Sequence, residues 1–139
     1  MYLYLYEIED WNYIIKLLDL KKTQVASDLA IPWRSFLNIT NAGKNPRLSK
    51  MVKFTKYIDE VSIDHRREYL LPKKEKIIDP LYFGRIKQKK GLTLRGIQSG
   101  MDYDINYVTV HKYVSEFNDG VDFHYNATKK ISNFFINSA

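Results

Sequence analysis

The stretch Val25-Ala26-Ser27-Asp28-Leu29-Ala30-Ile31-Pro32-Trp33-Arg34-Ser35-Phe36-Leu37-Asn38-Ile39 decides the fold of the first half of the chain. Small and apolar side chains recur in it at helical spacing, namely Val25, Ala26, Leu29, Phe36 and Ile39. This spacing predicts a short helix over about residues 23–29 and a second helix that Pro32 opens, since a proline N–H is not needed at the first helical position. The turn between such helices often requires φ > 0, which favours glycine, and Ala30 stands there instead.

The same 3.6-residue period extends on both sides of this stretch. It predicts a helix over 7–18 before it, and helices over 47–59 and 63–70 after it. The charged segment 72–80 has a proline at each end and is predicted to be a linker. Beyond it, helices are expected at 81–90, 93–99, 104–114 and 127–136.

Only the Tyr/Leu run at residues 2–6 alternates in the manner of a strand. The predicted fold class is therefore all-α, with two small helical bundles. The first domain covers residues 1–71, the linker covers 72–80, and the second domain covers 81–139. Each domain is near the lower size limit at which a single apolar core is sufficient.

Composition excludes several classes of protein. The 139 residues contain no cysteine, so disulfides, thiolate zinc sites and cysteine nucleophiles are excluded. The apolar runs are far shorter than the roughly 20 residues that a membrane helix needs, and the chain does not open with the pattern of an export signal. We therefore expect a cytoplasmic protein with no membrane contact.

The net charge of +6 is unevenly distributed. Eight basic residues face one acidic residue between Lys21 and Lys56, and eight face two between Lys73 and Arg95. Two basic blocks thus lie in an otherwise acidic chain. Such blocks are typical of nucleic-acid binding, although solvated helix faces produce the same pattern.

The stretch 25–39 resembles the helix-turn-helix core of the Cro/CI-type (Xre family) repressors, which reads Leu-Ala, two residues, Leu-Gly-Val-Ser, three residues, Ile, two residues, Ile. Gly43-Lys44-Asn45-Pro46-Arg47-Leu48 is similar to the family's Gly-x-x-x-Pro-x-Leu, and 48–58 and 61–64 are similar to its closing helices. The resemblance covers about residues 8–70. It implies a lambda-repressor-like domain of five helices that binds DNA.

The second half resembles the same family most closely at 83–93, which is similar to its first helix and its Gly-Leu-Thr entry to helix 2. Four residues then fall where the motif has Leu, Leu, Val and Ile, namely Ile97, Met101, Tyr103 and Val108. Asp102 occupies the turn position, His111 stands where an apolar residue is usual, and 115–126 matches poorly. The second half is interpreted as a divergent copy, or as a related bundle with another use.

The resemblance also implies a DNA-contacting surface, because the third helix of this family enters the major groove. The implied base-reading residues are Trp33, Arg34, Ser35 and Asn38, while Thr23 and Gln24 lie at the start of helix 2. Lys44, Asn45 and Arg47 are expected to hold phosphate. In the second half, the corresponding positions are Thr93, Arg95, Ile105, Asn106, Tyr107 and Thr109.

Other interpretations of individual residues stay open. Trp33 suits groove contact or packing, and Lys50, Lys53 and Lys56 suit a solvated face. The three histidines lack ligand spacing, so no metal site is predicted, and capping explains Asp102 and Asp104 better than catalysis does. No nucleophile with a base and no phosphate-binding glycine loop is recognised, so neither an enzyme nor a cofactor is expected.

We therefore predict a sequence-specific DNA-binding transcriptional regulator, of the kind that represses a phage or mobile-element locus. Its partner is double-stranded DNA. Either both halves contact DNA, or the first half does so and the second half forms a homodimer or binds a protein. The alternative function is a protein-binding inhibitor on the same fold, of the antirepressor, antitoxin or anti-defence (anti-CRISPR) type. RNA binding is a weaker alternative, since a groove-reading helix suits B-form DNA better.

Overall fold

A computed structural model describes residues 1–138, and 61% of the chain is helical. The α-helices are α1 (Ile8–Leu17), α2 (Lys22–Asp28), α3 (Trp33–Ala42), α4 (Leu48–Asp64), α5 (Phe83–Lys89), α6 (Leu94–Gly100), α7 (Tyr107–Tyr113) and α8 (Tyr125–Asn137). The strands β1 (Tyr2–Leu5) and β2 (Glu75–Ile78) form a two-stranded sheet, and Glu68–Leu70 and Pro80–Tyr82 are short 3-10 helices. The mainly helical class is confirmed, and the small sheet is an addition to it.

The chain divides into two compact units. One comprises Tyr4–Glu75 and is called the N-terminal unit below, and the other comprises Met1–Leu3 with Lys76–Ala139 and is called the C-terminal unit. The segment predicted to be a linker, 72–80, contains β2, in which Ile77 and Ile78 are buried. Prolines and lysines dominate the composition of this segment, so two apolar residues were not enough to indicate a strand.

The core of the N-terminal unit is built around Trp11, which is completely buried. Its ring stacks on Phe54 at 3.9 Å between centroids and on Phe36 at 6.3 Å. Three helices, α1, α3 and α4, thus meet at one aromatic cluster. Because aromatic side chains bury the largest apolar areas, this cluster fixes the position of α3 against the rest of the unit.

A polar cluster ties the start of the N-terminal unit to α4. The Tyr6 hydroxyl donates to Asp59 Oδ1 at 2.6 Å, and Lys74 Nζ lies 2.5 Å from Asp59 Oδ2 and 5.3 Å from the centre of the Tyr6 ring. The backbone N–H of Tyr6 donates to Thr55 Oγ1 at 3.1 Å. Burial, together with the hydrogen bond to Asp59 and its charge, raises the pKa of Tyr6, so this hydroxyl remains a donor at alkaline pH values where a free tyrosine ionises.

One helix replaces the two that were predicted over 47–59 and 63–70. Helix α4 runs without a break to Asp64, and only Glu68–Leu70 adds a 3-10 turn. The gap between the two predicted helices covers 60–62, but Ser62 is 1% exposed and its hydroxyl donates to the carbonyl of Asp59 at 2.9 Å. A serine that satisfies its hydroxyl within the helix can be buried there without ending it.

The C-terminal unit has a separate apolar core. Its buried members are Ile78, Phe83, Ile86, Ile97, Ile105, Val110, Tyr113, Val114, Ile131 and Phe135. Asn118 is buried at the edge of this core, where its Nδ2 donates to the carbonyls of Pro80 and Tyr113, both at 2.7 Å. These two bonds hold the loop after α7.

Candidate nucleic-acid interface

The connection from α2 to α3 is four residues long, 29–32. Ala30 has φ 55°, so it adopts the left-handed conformation that the sequence analysis expected at this position. The N–H of Ile31 donates to the carbonyl of Ala26 at 2.9 Å, which closes the end of α2. Pro32 is the N-cap of α3, one residue before the position predicted for it. A left-handed alanine costs about 1–2 kcal/mol, which the burial of Ile31, Phe36 and Ile39 offsets.

Helix α3 has a buried face and a solvent face. Phe36 and Ile39 are buried, whereas Trp33 and Arg34 are exposed and Ser35 and Asn38 are half-buried. Trp33 is 43% exposed, and its ring stacks on Phe36 with centroids 6.2 Å apart and planes at 19°. Trp33 therefore packs with one side on Phe36 and presents the other side to solvent.

The start of α2 contains the other residues predicted to contact DNA in this region, Thr23 and Gln24, and both are exposed. Gln24 Nε2 donates to Asp28 Oδ1 at 2.7 Å, and the Tyr57 hydroxyl donates to Asp28 Oδ2 at 2.7 Å. Burial, with the hydrogen bond to Asp28 and its charge, raises the pKa of Tyr57 to about 12. The one acidic residue of the first basic block therefore has both carboxylate oxygens hydrogen-bonded.

The loop after α3 presents the residues predicted to hold phosphate. Gly43 has φ 61°, and the N–H of Lys44 donates to the carbonyl of Asn38 at 3.1 Å, which ends the helix. Lys44, Asn45 and Arg47 are exposed. The buried residues Pro46 and Leu48 anchor this loop. Helices α2 and α3 pack on each other, so all the predicted contact residues of the first half belong to one compact unit.

The predicted contact residues of the second half include two helix caps. Thr93 Oγ1 accepts from the N–H of Gly96 at 3.0 Å at the start of α6, and Asn106 Oδ1 accepts from the N–H of Val108 at 2.8 Å at the start of α7. The guanidinium of Arg95 lies 5.5 Å from the centre of the Tyr107 ring. Thr93 and Asn106 thus use their side-chain oxygens within the unit, while Arg95 and Tyr107 form an exposed cation–π pair.

The turn from α6 to α7 differs from the sequence expectation. It is six residues long, 101–106, and both Asp102 (φ 54°) and Tyr103 (φ 57°) are left-handed. The predicted helix over 104–114 accordingly starts only at Tyr107. Tyr103 and Val108, which were expected to face inward, are 69% and 59% exposed.

The buried positions are instead taken by Ile105 and Val110. The prediction that Ile105 contacts DNA is therefore wrong, because its side chain is 6% exposed and belongs to the core of the C-terminal unit. Two extra residues in the turn explain this shift. Counted from each N-cap, Tyr107 is the counterpart of Trp33, Val108 that of Arg34, Thr109 that of Ser35 and Lys112 that of Asn38. Sequence matching without the insertion missed Lys112. It also missed the hydrogen bond from Tyr57 to Asp28. The sequence signal for a partner of Asp28 was its position as the one acidic residue within a basic block.

Within residues 1–138 there is no group of three or more His, Cys, Asp or Glu side chains that could hold a metal ion. None of the helices described above is long and apolar enough to cross a membrane.

Comparison with known proteins gives no match: no protein-family model, no curated protein and no solved structure matches the chain. The resemblance to Cro/CI-type repressors therefore rests on the residues quoted for it.

Proposed function

We propose that this protein is a sequence-specific DNA-binding transcriptional regulator and that α3 is the helix that enters the major groove. The observation that carries the proposal is the solvent face of α3, where Arg34 and Asn38 stand opposite the buried pair Phe36 and Ile39. Arginine can pair with guanine and asparagine with adenine through two hydrogen bonds each. A helix that is fixed on one face can present such side chains in a defined geometry, which base readout requires.

The charge of the surrounding segment supports the same proposal. Eight basic residues and one acidic residue lie between Lys21 and Lys56, and the acidic residue, Asp28, is hydrogen-bonded by Gln24 and Tyr57. Exposed lysines and arginines attract phosphate and release counterions on binding, which provides affinity that does not depend on sequence. The segment thus combines residues suited to base contact with residues suited to backbone contact.

The C-terminal unit takes a secondary part in the proposal. Its counterparts of Arg34 and Asn38 are Val108 and Lys112, so both the planar guanidinium and the amide are missing from these positions. We assign base readout to the N-terminal unit, and to the C-terminal unit phosphate contact, a protein partner or assembly of a homodimer. The repressor role and the phage or mobile-element locus rest on the family resemblance alone.

Selection of binding sites from random duplex DNA, followed by anisotropy titrations at several salt concentrations, tests the proposal. We expect Arg34→Ala to lose about 1–3 kcal/mol of affinity for the selected site and to relax the preference at one base pair. We expect Lys44→Ala to weaken all duplexes alike and to lower the salt slope by about 1. Lys16→Ala, which removes an exposed charge from α1, is the control for net charge.

Three results would contradict the proposal. They are failure of the wild-type chain to select any sequence, binding that does not depend on salt, and equal losses for Arg34→Ala and Lys16→Ala. The last result would mean that Arg34 contributes only its charge.

A protein-binding inhibitor is the second candidate function, favoured by the exposed apolar side chains of the C-terminal unit. Phe117 is 82% exposed and Tyr103 is 69% exposed, and exposed aromatic residues are enriched at protein interfaces. A double variant, Phe117→Ser with Tyr103→Ser, distinguishes between the two candidate functions. A regulator should keep its DNA affinity in this variant, whereas an inhibitor should lose its partner and should tolerate Arg34→Ala with Asn38→Ala.

A further inference from the structure

A groove of about 460 Å³ lies within the C-terminal unit, away from the residues assigned to DNA. Its floor consists of Ile78, Ile86 and Phe135, which are 3%, 8% and 2% exposed. Three apolar side chains line its open part and remain strongly exposed, namely Met1, Tyr2 and Ile136 at 55%, 39% and 47%. The volume falls within the range of small-molecule sites, and the lining is mostly apolar, as in such sites.

The charged side chains that line this groove are both basic. Lys89 and Lys90 line it, and Lys76 Nζ lies 4.0 Å from the centre of the Tyr2 ring. No acidic side chain from residues 1–138 lines it. The groove therefore combines an apolar floor with a positive potential.

The two lining lysines differ in their surroundings. Lys90 Nζ donates to the carbonyl of Phe135 at 3.1 Å and to the carbonyl and hydroxyl of Ser138 at 2.6 and 3.1 Å. All three of its N–H donors are thus used at the C-terminal end of α8. Lys89 is exposed and is the lysine whose ammonium can meet a ligand.

We propose that this groove binds an amphipathic carboxylate, a small molecule with an apolar chain and one carboxylate. The chain would cover Ile78, Ile86 and Phe135 and shield Ile136, and the carboxylate would face Lys89. Charge complementarity selects the anion, because a cationic amphiphile would meet two lining lysines, Lys89 and Lys90, and no acidic side chain of residues 1–138. The volume favours a small molecule over a folded partner.

Methyl NMR spectra of the full chain, with labelled isoleucines and decanoate as the probe, test this proposal without DNA. We expect saturable shifts of Ile78, Ile86 and Ile136, and none of Ile14 or Ile39 in the N-terminal unit. Decanol should bind about threefold more weakly than decanoate, because an exposed ion pair contributes only a little affinity. Decyltrimethylammonium should bind most weakly of the three.

Substitutions distinguish the contribution of the lysine charge to binding from that of the apolar floor. Lys89→Gln should weaken decanoate about threefold and leave decanol unchanged. Lys112→Gln, an exposed lysine of α7 outside the groove, should change neither. Ile136→Asp should weaken decanoate at least about tenfold, since it removes apolar contact and adds a like charge.

Several outcomes would overturn the proposal. One is the absence of saturable shifts in the three groove isoleucines, and another is an equal response of Ile14 and Ile39, which would mean general surface adsorption. Equal affinity for the anion and the cation, or equal effects of Lys89→Gln and Lys112→Gln, would remove the role of charge. Shifts that depend on protein concentration without any probe would instead identify the groove as an interface between copies of this chain.

Discussion

The segments 22–42 and 94–113 build the same local structure from different residues. Each has a seven-residue helix, α2 or α6, followed by a left-handed turn, a buried isoleucine and an N-cap. The isoleucine is Ile31 in the first segment and Ile105 in the second. The second helix then has ten residues in α3 and seven in α7.

The difference lies in the turn and in the surface. Two extra residues lengthen the second turn, and the outward positions change from Arg34 and Asn38 to Val108 and Lys112. Burial of apolar residues is kept, whereas the side chains suited to base contact are not. The comparison shows that two segments can share the same order of elements and a buried isoleucine while their turn lengths and exposed side chains differ.

The largest expected contrast is between the equivalent core positions Phe36 and Val110. Both are completely buried, but Phe36 stacks on Trp11 and Trp33. Phe36→Ala should cost the N-terminal unit about 3–5 kcal/mol, and Val110→Ala should cost the C-terminal unit about 2 kcal/mol, because fewer buried carbons are removed. Both tryptophans of the chain lie in the N-terminal unit, so urea unfolding by fluorescence follows that unit, and amide exchange in α8 follows the other.

The exposed substitution Leu81→Ala provides a control for general loss of apolar area, with an expected cost below about 0.5 kcal/mol. A cost for Phe36→Ala no larger than that for Val110→Ala would contradict the view that the aromatic cluster organises the first unit.

Sequence periodicity was sufficient for the helices of the first unit because each buries a stripe of apolar residues. It failed for β2, where only Ile77 and Ile78 are buried and the partner strand, β1, lies near the start of the chain. Strand pairing between distant segments leaves little trace in local composition. The break predicted before Ile63 failed for a related reason, since the burial of Ser62 within α4 depends on tertiary packing.

The candidate site could be predicted in part. The outward positions of α3 followed from the inward positions of Phe36 and Ile39, because a helix relates the two. The second half could not be aligned in the same way, since the two extra turn residues shift every later position and only the burial of Ile105 and Val110 reveals them. The contact of Asp28 with Tyr57 could not be predicted either, because Tyr57 lies 29 residues further along the chain.

Two asparagines test the division of roles between the halves. Asn106 caps α7, so Asn106→Ala should cost the C-terminal unit about 1 kcal/mol of stability. Asn38 is the proposed reader, so Asn38→Ala should lose about 1–3 kcal/mol of affinity for the selected duplex while the unfolding midpoint stays nearly constant. Amide exchange in α8 and anisotropy titrations give the two readouts.

Asn133→Ala, at an exposed position of α8, is the matched control and should leave both readouts nearly unchanged. A loss of sequence preference in Asn106→Ala, with stability intact, would instead assign base contact to the second half.

The smallest expected effect concerns the left-handed residues in the two turns. Ala30→Gly relieves about 1–2 kcal/mol of strain at φ 55° but adds about 0.5–1 kcal/mol of chain entropy to the unfolded state, so a net gain of about 0.5 kcal/mol is expected. For a domain of this size that gain raises Tm by about 2–4 °C. Asp102→Gly should gain less, because aspartate tolerates this conformation better than alanine does. Ala42→Gly, at a helical position in α3, is the control. It carries the same entropy cost but relieves no backbone strain, so it should lower Tm. Thermal unfolding by tryptophan fluorescence measures the Ala30 and Ala42 variants. A decrease in Tm for Ala30→Gly equal to that for Ala42→Gly would mean that the first turn stores no strain, and the two turns would then differ in length alone.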